Sequence, residues 1–162
     1  MVVNTSKVDP AQLDLGYVAF FLGLRVNRLV QERMQAAGYT NVRESHGYVI
    51  QHLIEKERSI TELARRMEVS QQAASKVVAE LAGLGVLEIV AGSDHRQKSV
   101  RLSDRGRSLV ELGRKNRRQI EKRLIRAAGA EEYDRARAIL ATCLEALGGM
   151  ARIRSRRIPL PQ

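Results

Sequence analysis

The sequence predicts a mainly α-helical fold with one small β-hairpin. Hydrophobic residues make up 44% of the chain, but aromatic residues make up only 4% and Trp is absent. The core must therefore consist of Leu, Val, Ile and Ala, a composition that favours helices. Apolar residues recur at helical spacing over most of the chain, whereas β-rich patterning is confined to residues 86–102. The 162 residues suit one domain, 1–162.

Two helices are predicted in the first third of the chain. The first runs roughly over residues 11–37 and can end at Gly38, and the second covers residues 42–55. Their apolar residues lie near helical spacing: Leu13, Val18, Phe21, Leu22, Leu29 and Met34 in the first, and Val49, Ile50, Leu53 and Ile54 in the second.

Two short helices joined by a tight turn are predicted next. The first covers residues 61–67, and Glu68-Val69 forms the turn. Ser70 is a good N-cap for the second helix, which runs to about Leu84, and Gly85 fits its C-terminal cap. This arrangement is a helix-turn-helix.

A hairpin and two further helices complete the prediction. Residues 86–90 and 97–102 read as strands around the turn residues 91–94. Ser103 can cap a long helix that reaches about Ala128, and Gly129 separates it from a last helix over residues 130–147.

The order of these elements divides the chain into a central unit and outer helices. Residues 42–105 can form a compact winged helix-turn-helix, in which the hairpin is the wing. The outer helices, within 11–37 and 106–150, have apolar faces that lack an obvious partner. Such faces are often buried in a dimer, so we expect these to be dimerisation helices.

The positive charge of the chain is concentrated in one stretch. The net charge is +10, and residues 96–126 hold twelve basic and three acidic residues, a net of +9. A solvated, generally basic surface is the simpler interpretation of a high net charge. The uneven distribution instead favours a polyanionic partner.

Several classes of protein are excluded by what the sequence lacks. One cysteine cannot form an internal disulfide, and the three histidines are not spaced as a metal-ligand set. No catalytic arrangement of side chains and no phosphate-binding glycine loop is present, so we expect neither an enzyme nor a cofactor. No apolar run is long enough for a membrane helix and no secretion signal is visible, which predicts a soluble, cytoplasmic protein.

The second helix of the helix-turn-helix carries a polar face. Its members are Ser70, Gln71, Gln72, Ser75 and Lys76. Side chains of these types can bond to base edges or phosphates in the major groove of DNA. Taken alone, the pattern fits an ordinary helical hairpin with a solvated face equally well.

The predicted tip of the hairpin adds to the case for nucleic acid. Asp94, His95 and Arg96 lie there, where a side chain can reach beyond the body of the protein. An Arg at such a tip can enter a narrow minor groove because the potential there is negative. Simple solvation is the alternative for a single Arg.

The run from Ile60 to Arg107 resembles the MarR family of bacterial regulators. The residues that carry the resemblance are Thr61-Glu62-Leu63-Ala64-Arg65-Arg66, Ser70-Gln71-Gln72, Leu81 to Glu88, Asp94-His95-Arg96 and Val100 to Gly106. The whole run from Ile60 to Arg107 spans 48 residues, and the flanking helices agree with the family in order and length. One position departs from the pattern, because Glu68 stands where the family usually has Gly.

The resemblance implies a homodimer that binds double-stranded DNA. Gln71, Gln72, Ser75 and Lys76 would face the major groove, Arg96 would enter the minor groove, and Asp94 would orient Arg96 or brace the wing. Phosphate contacts would come from Arg65, Arg66, Lys98 and Arg101.

The resemblance also implies a sequence-specific repressor of a pseudo-palindromic operator, released by a small aromatic or phenolic effector. The candidate effector-binding residues are Tyr17, Phe21, Arg25, His46 and Tyr48. A winged-helix module for RNA or protein is the alternative. RNA recognition favours exposed aromatic residues, and the chain has only six Phe and Tyr residues together.

Overall fold

The computed structural model describes residues 9, 12–91, 98–150 and 153 of the chain. These residues contain six helices and three short strands. The elements follow in the order α1 (Leu15–Ala36), α2 (His46–Leu53), β1 (Arg58–Ser59), α3 (Ile60–Met67), α4 (Gln71–Gly83), β2 (Leu87–Ala91), β3 (Lys98–Leu102), α5 (Asp104–Ala128) and α6 (Ala130–Ala146). The predicted mainly α-helical fold with a hairpin wing is confirmed.

Four of the six helices begin at a side-chain cap. The carboxylate or hydroxyl oxygens of Asp14, Ser59, Ser70 and Ser103 each accept a hydrogen bond from the backbone N–H three residues later, at 2.9–3.1 Å. Such caps satisfy backbone donors that have no partner within the helix. The cap at Asp14 explains why α1 begins four residues later than the prediction.

Helix α2 is shorter than predicted at both ends. It begins at His46, not Val42, because residues 42–45 form turns in which the N–H of Val42 bonds to the carbonyl of Tyr39. Val42 is nevertheless buried in the core, so its apolar side chain reflects packing from a turn and not a helical position.

The strands form one antiparallel sheet in the order β1-β3-β2. Leu87 of β2 lies opposite Leu102 of β3, and Ile89 lies opposite Val100, so the predicted hairpin is confirmed. Strand β1 adds two residues to the other edge, where Arg58 lies opposite Val100. This third strand was not predicted.

The central core lies between the helix-turn-helix and the sheet. Its most deeply buried apolar side chains are Leu63, Met67, Val78, Leu81, Val86 and Val100. Gly85, at φ +69°, ends α4 and lets the N–H of Val86 bond to the carbonyl of Leu81 at 2.9 Å. This left-handed turn directs the chain from α4 into the wing.

The outer helices are held to the central unit through α1 and α5. Met34 of α1 and Leu109 of α5 are buried in the common core. Arg33 of α1 donates hydrogen bonds to the carbonyl of Asn116 and to the side chain of Gln119 on α5. Helix α6 packs along α5, where the hydroxyl of Tyr133 bonds to Glu121 at 3.1 Å.

Large apolar side chains remain exposed on these outer helices. On α1 they are Leu15, Tyr17, Val18, Phe20, Phe21, Leu22 and Leu24, and on α6 Ile139 and Leu144, with Leu147 just beyond its end. No helix in the described ranges is both long enough and apolar enough to cross a membrane.

His52 is buried beneath α3 without a hydrogen-bond partner for its Nε2 atom. Burial, together with the positive charges of Arg66 and Arg58, lowers the pKa of this imidazole below its ordinary value near 6.5. Between these two pKa values the unfolded chain binds a proton that the folded chain does not. Stability is therefore greatest above pH 6.5 and decreases as the pH falls from there toward the lowered pKa.

We expect the variant His52→Leu to reduce this dependence on pH. The variant removes the titrating group and an unsatisfied buried nitrogen, so its melting temperature should fall less between pH 7.5 and pH 5 than that of the parent chain. Thermal unfolding across this range measures the difference. Parallel curves for the two proteins would show that protonation of His52 contributes nothing to acid instability.

Candidate nucleic-acid interface

Helix α4 has one buried face and one polar face. Ala74, Val78 and Leu81 are fully buried against the core. Gln71, Gln72 and Lys76 are exposed, Ser75 is half-buried, and the exposed Ser70 caps the helix. The structure thus brings together the five polar residues that the sequence predicted for this face.

A cluster from α2 and the preceding turn holds α4 from behind. The Arg43 guanidinium contacts the Glu80 carboxylate of α4 at 2.5 Å, and Nε2 of His46 lies 3.5 Å from the same carboxylate. The backbone N–H of Arg43 donates to Nδ1 of the fully buried His46. Burial lowers the pKa of His46 although the nearby Glu80 opposes this shift, so the ring is neutral at pH 7.

Two of the predicted phosphate-binding cations lie on α3, and they differ in their surroundings. Arg65 is exposed, and no acidic partner for it occurs within the described ranges. Arg66 donates to Glu62 at 3.2 Å, and the buried Arg58 pairs with the same carboxylate. Burial alone would raise the pKa of Glu62, but the hydrogen bond from Arg66 and the charge of Arg58 outweigh it and lower that pKa. Arg65 is therefore the freer cation.

The wing carries the other two predicted cations. Lys98 is exposed at the start of β3. Arg101 is also exposed but pairs at 3.0 Å with Glu88, directly opposite it on β2. The predicted tip residues Asp94, His95 and Arg96 lie outside the described residues.

The turn between α3 and α4 is strained at Glu68. Its φ is 57° and its ψ is 39°, the left-handed conformation that a Gly adopts without cost. Among the described residues, no other non-glycine residue has a positive φ.

Replacing Glu68 with Gly should stabilise the protein by about 1 kcal/mol, because the left-handed conformation costs a side chain about that much. In a chain of this size the melting temperature should rise by about 2–4 °C. The matched variant Glu68→Gln keeps the backbone cost and removes only the charge, so its melting temperature should not change. Equal shifts for both variants would show that the carboxylate charge, and not the backbone, is unfavourable.

A cavity of about 540 Å³ lies between α1, α2 and α5. Its walls are mostly aliphatic, from Val30, Met34, Val42, Ile50, Ile54, Leu109 and Val110. At its rim the Arg117 guanidinium donates to the side-chain oxygen of Asn27 at 3.0 Å, and the Asn27 amide donates to Glu44 at 2.7 Å. These polar residues lie on α1, on α5 and in the turn before α2, and they were not predicted.

The five predicted effector-binding residues do not line this cavity. Tyr17 and Phe21 lie exposed on α1 with ring centroids 5.0 Å apart, and Arg25 pairs with Glu32. His46 is enclosed beside Glu80, and Tyr48 is half-buried on α2. A pocket built from these five residues stays a prediction. No group of three or more His, Cys, Asp or Glu side chains in the described part of the chain could hold a metal ion.

The fold and the polar face of α4 define a winged helix-turn-helix protein. Residues 40–97 match the sequence model of the MarR family. Over these 58 residues, which include the helix-turn-helix, the chain is similar to the MarR family. Among curated proteins, none matches the sequence significantly.

Three solved structures illustrate the likeness. YusO from Bacillus subtilis is 23% identical, with a TM-score of 0.67 over 82% of this chain and 94% of that chain. MepR, a transcription regulator of the Staphylococcus aureus multidrug efflux pump MepA, is 17% identical, with a TM-score of 0.66 over 83% of this chain and 99% of its own. MarR from E. coli is 18% identical, with a TM-score of 0.60 over 82% and 98%.

Proposed function

We propose that this protein is a sequence-specific regulator that binds double-stranded DNA as a homodimer and represses transcription from a pseudo-palindromic operator. The observation that carries the proposal is the exposed polar face of α4, supported from behind by buried side chains and by the Arg43–Glu80 ion pair. A recognition helix must present its polar residues rigidly to the groove, and this packing provides that rigidity. Acting on DNA in a bacterium would place the protein in the cytoplasm.

We assign the predicted roles to the residues as follows. Gln71, Gln72, Ser75 and Lys76 face the major groove, where they contact base edges or phosphates, with Ser70 at the start of the helix. Arg65, Arg66, Lys98 and Arg101 contact phosphates, which positions the protein without specifying sequence. Asp94, His95 and Arg96 act at the wing tip, with Arg96 in the minor groove. A MepR variant has been solved bound to an oligodeoxyribonucleotide, which supports a DNA-binding role for this fold.

The exposed apolar residues of α1 and α6 support the homodimer. Tyr17, Phe20 and Phe21 form an aromatic cluster on α1 with ring centroids 5.0–5.5 Å apart, although each remains at least half exposed. Contiguous apolar surface of this kind marks an interaction site. Dimerisation would bury it and would also place two recognition helices about one turn of DNA apart.

The variant Phe21→Asp should shift the protein from dimer to monomer. A carboxylate in the apolar interface would be desolvated without a partner, which is costly enough to weaken association by at least about 100-fold. Light scattering after size-exclusion chromatography measures the mass. Arg28→Asp, a charge change on the same helix at an already charged, exposed position, serves as the control. An unchanged dimer in the Phe21 variant would remove this face of α1 from the interface.

We further propose that a small-molecule effector releases the repressor from DNA. MepR has been solved bound to ethidium bromide, an aromatic compound, so the fold can accept a ligand. In this chain the cavity between α1, α2 and α5 is the favoured site, because it touches both the outer helices and the elements that support α4. A ligand there can shift the spacing of the two winged domains by favouring one arrangement of these helices.

Selection of bound duplexes from a random DNA pool, followed by a salt titration of the selected duplex, tests the proposed function. A pseudo-palindrome, bound with an affinity that falls steeply as salt rises, supports a dimeric sequence-specific regulator. The absence of any shared sequence would overturn sequence-specific readout, and the RNA- or protein-binding alternative would then apply.

A further inference from the structure

One side of α5 carries a row of basic residues far from the helix-turn-helix. Lys115, Arg118, Lys122 and Arg126 are spaced by three, four and four residues, so they lie on the same side of the helix. All four are exposed. We call these four residues the basic stripe.

The basic stripe is not neutralised within the protein. Elsewhere on the outer helices cations are paired, for example Arg107 with Asp104, Arg114 with Glu111 and Arg137 with Asp134. The four stripe residues form no such ion pair with any other part of the described chain. The nearest acidic residues on α5 are engaged elsewhere. Glu111, four residues before Lys115, pairs with Arg114, and Glu121, three residues after Arg118, accepts a hydrogen bond from Tyr133.

The packing of α5 leaves the basic stripe uncovered. Leu109, Asn116 and Ile120 form the buried side of the helix, and Arg33 of α1 bonds to the carbonyl of Asn116 on that side. A dimer formed through the apolar residues of α1 and α6 would not cover the stripe either, because burying four unpaired cations would cost more free energy than apolar contacts recover.

The basic stripe also extends away from the winged domain. Helix α5 begins beside the wing, where Ser103 bonds to the carbonyl oxygens of Gly85 and Val86. With a rise of about 1.5 Å per residue, Lys115 lies about 16 Å and Arg126 about 33 Å along the axis from the start of the helix. A duplex bound by α4, as proposed above, would lie near the opposite end of α5, so the basic stripe would not contact that duplex.

The chemistry of the basic stripe fits a phosphate backbone. Successive cations are about 5–6 Å apart along the helix, and the apolar side chain that helical spacing places beside them, Ile125, is half-buried. Protein partners and membrane surfaces are usually bound with apolar or aromatic residues as well as charge, whereas duplex DNA can be bound by charge alone.

We propose that the basic stripe is a second DNA-binding surface, which holds the phosphate backbone of a duplex segment other than the one read by α4. A dimer would present two such surfaces, so one molecule could hold two DNA segments together. This binding is independent of sequence and does not depend on the readout proposed for α4.

The test uses the full-length chain with the variants Lys115→Gln, Arg118→Gln, Lys122→Gln and Arg126→Gln combined. A matched control changes four paired, exposed cations to Gln, namely Arg28, Arg107, Arg135 and Arg137, and so removes the same charge. Both sets are placed in a background of Gln72→Ala and Lys76→Ala, which weakens the proposed operator contact. Binding of a random-sequence duplex is then measured against salt concentration.

The proposal predicts that the stripe variant loses at least about tenfold in affinity for the random duplex at low salt, and that its salt slope decreases by about 3–4 per protomer. The control variant should keep most of the affinity for the random duplex and most of the salt slope. In a second measurement, the protein with α4 intact should capture two differently labelled duplexes together, and the stripe variant should capture only one.

Several outcomes would overturn the proposal. Equal losses for the stripe and control variants would mean that only net charge matters. Stripe-dependent binding to vesicles of anionic phospholipid, without stripe-dependent binding to DNA, would identify a membrane surface instead. Failure to select an operator would contradict the proposed function but not this inference, because the random-duplex measurement needs no operator.

Discussion

The variant Gly106→Ala is expected to destabilise the protein by about 3 kcal/mol or more, the upper range for overpacking at a buried site. Gly106 is buried near the start of α5, beside the last residues of the wing. A Cβ atom there would overlap the carbonyl oxygen of Val86 and would lie only 3.2 Å from Cδ2 of Leu102. The carbonyl belongs to the backbone and already accepts hydrogen bonds from Ser103, so it cannot move aside without breaking the join between wing and helix.

Gly113→Ala is the matched control for this prediction because it lies on the same helix. A Cβ at Gly113 would meet only Cε of Met34, at an ordinary contact distance of 3.8 Å. Since Ala favours a helix over Gly by up to about 1 kcal/mol, this variant should be neutral or slightly stabilised. Thermal or urea unfolding of both variants gives the comparison. Similar stability for the two would show that α5 can shift relative to the wing without cost.

The close approach at Gly106 illustrates what could not be predicted from sequence. A glycine in the first turn of a helix has many explanations, and only the packed structure shows that the wing leaves no room for a side chain. Strand β1 is a similar case. Two residues, Arg58 and Ser59, have no strand pattern of their own, and they pair with β3 only because the chain brings them to its edge.

The elements that could be predicted are those set by local chemistry. Ser70 and Ser103 cap helices as expected, because a serine oxygen reaches a backbone N–H three residues later whatever the tertiary contacts. The hairpin could be predicted because two neighbouring segments have strand-like patterns of apolar residues and are separated by turn residues. The predicted α2 was too long because Val42 was included in it. The apolar side chain of Val42 packs into the core from a turn and does not belong to the helix.

The candidate site also has a part that could be predicted from the sequence and a part that could not. The polar face of α4 could be recognised because its residues lie on one helix. The cluster of Arg43, His46 and Glu80 and the cavity beside Arg117 could not, because their residues come from elements distant in sequence. In the single chain the aromatic residues of α1 form an exposed surface, and the effector pocket to which Tyr17 and Phe21 would belong stays a prediction.

The polar face of α4 carries the largest effect expected on DNA binding. The variants Gln72→Ala and Lys76→Ala should each weaken binding to the selected operator by about 10- to 100-fold, since a contact to a base edge contributes about 1–3 kcal/mol. Both side chains are exposed in the free protein, and the buried face of α4 is untouched. The melting temperatures should therefore stay within about 1 °C of the parent value, because surface substitutions have small effects.

The two variants should also differ from each other, which separates base reading from phosphate contact. If Gln72 reads a base, Gln72→Ala should relax the sequence preference at one position in each half-site and leave the salt dependence unchanged. If Lys76 contacts a phosphate, Lys76→Ala should weaken all duplexes alike and reduce the salt slope by about 1 per half-site. Arg28→Ala, on the exposed side of α1, is the control for loss of one positive charge. Operator affinity unchanged in both α4 variants would contradict the assignment of α4 as the recognition helix, whatever the family resemblance.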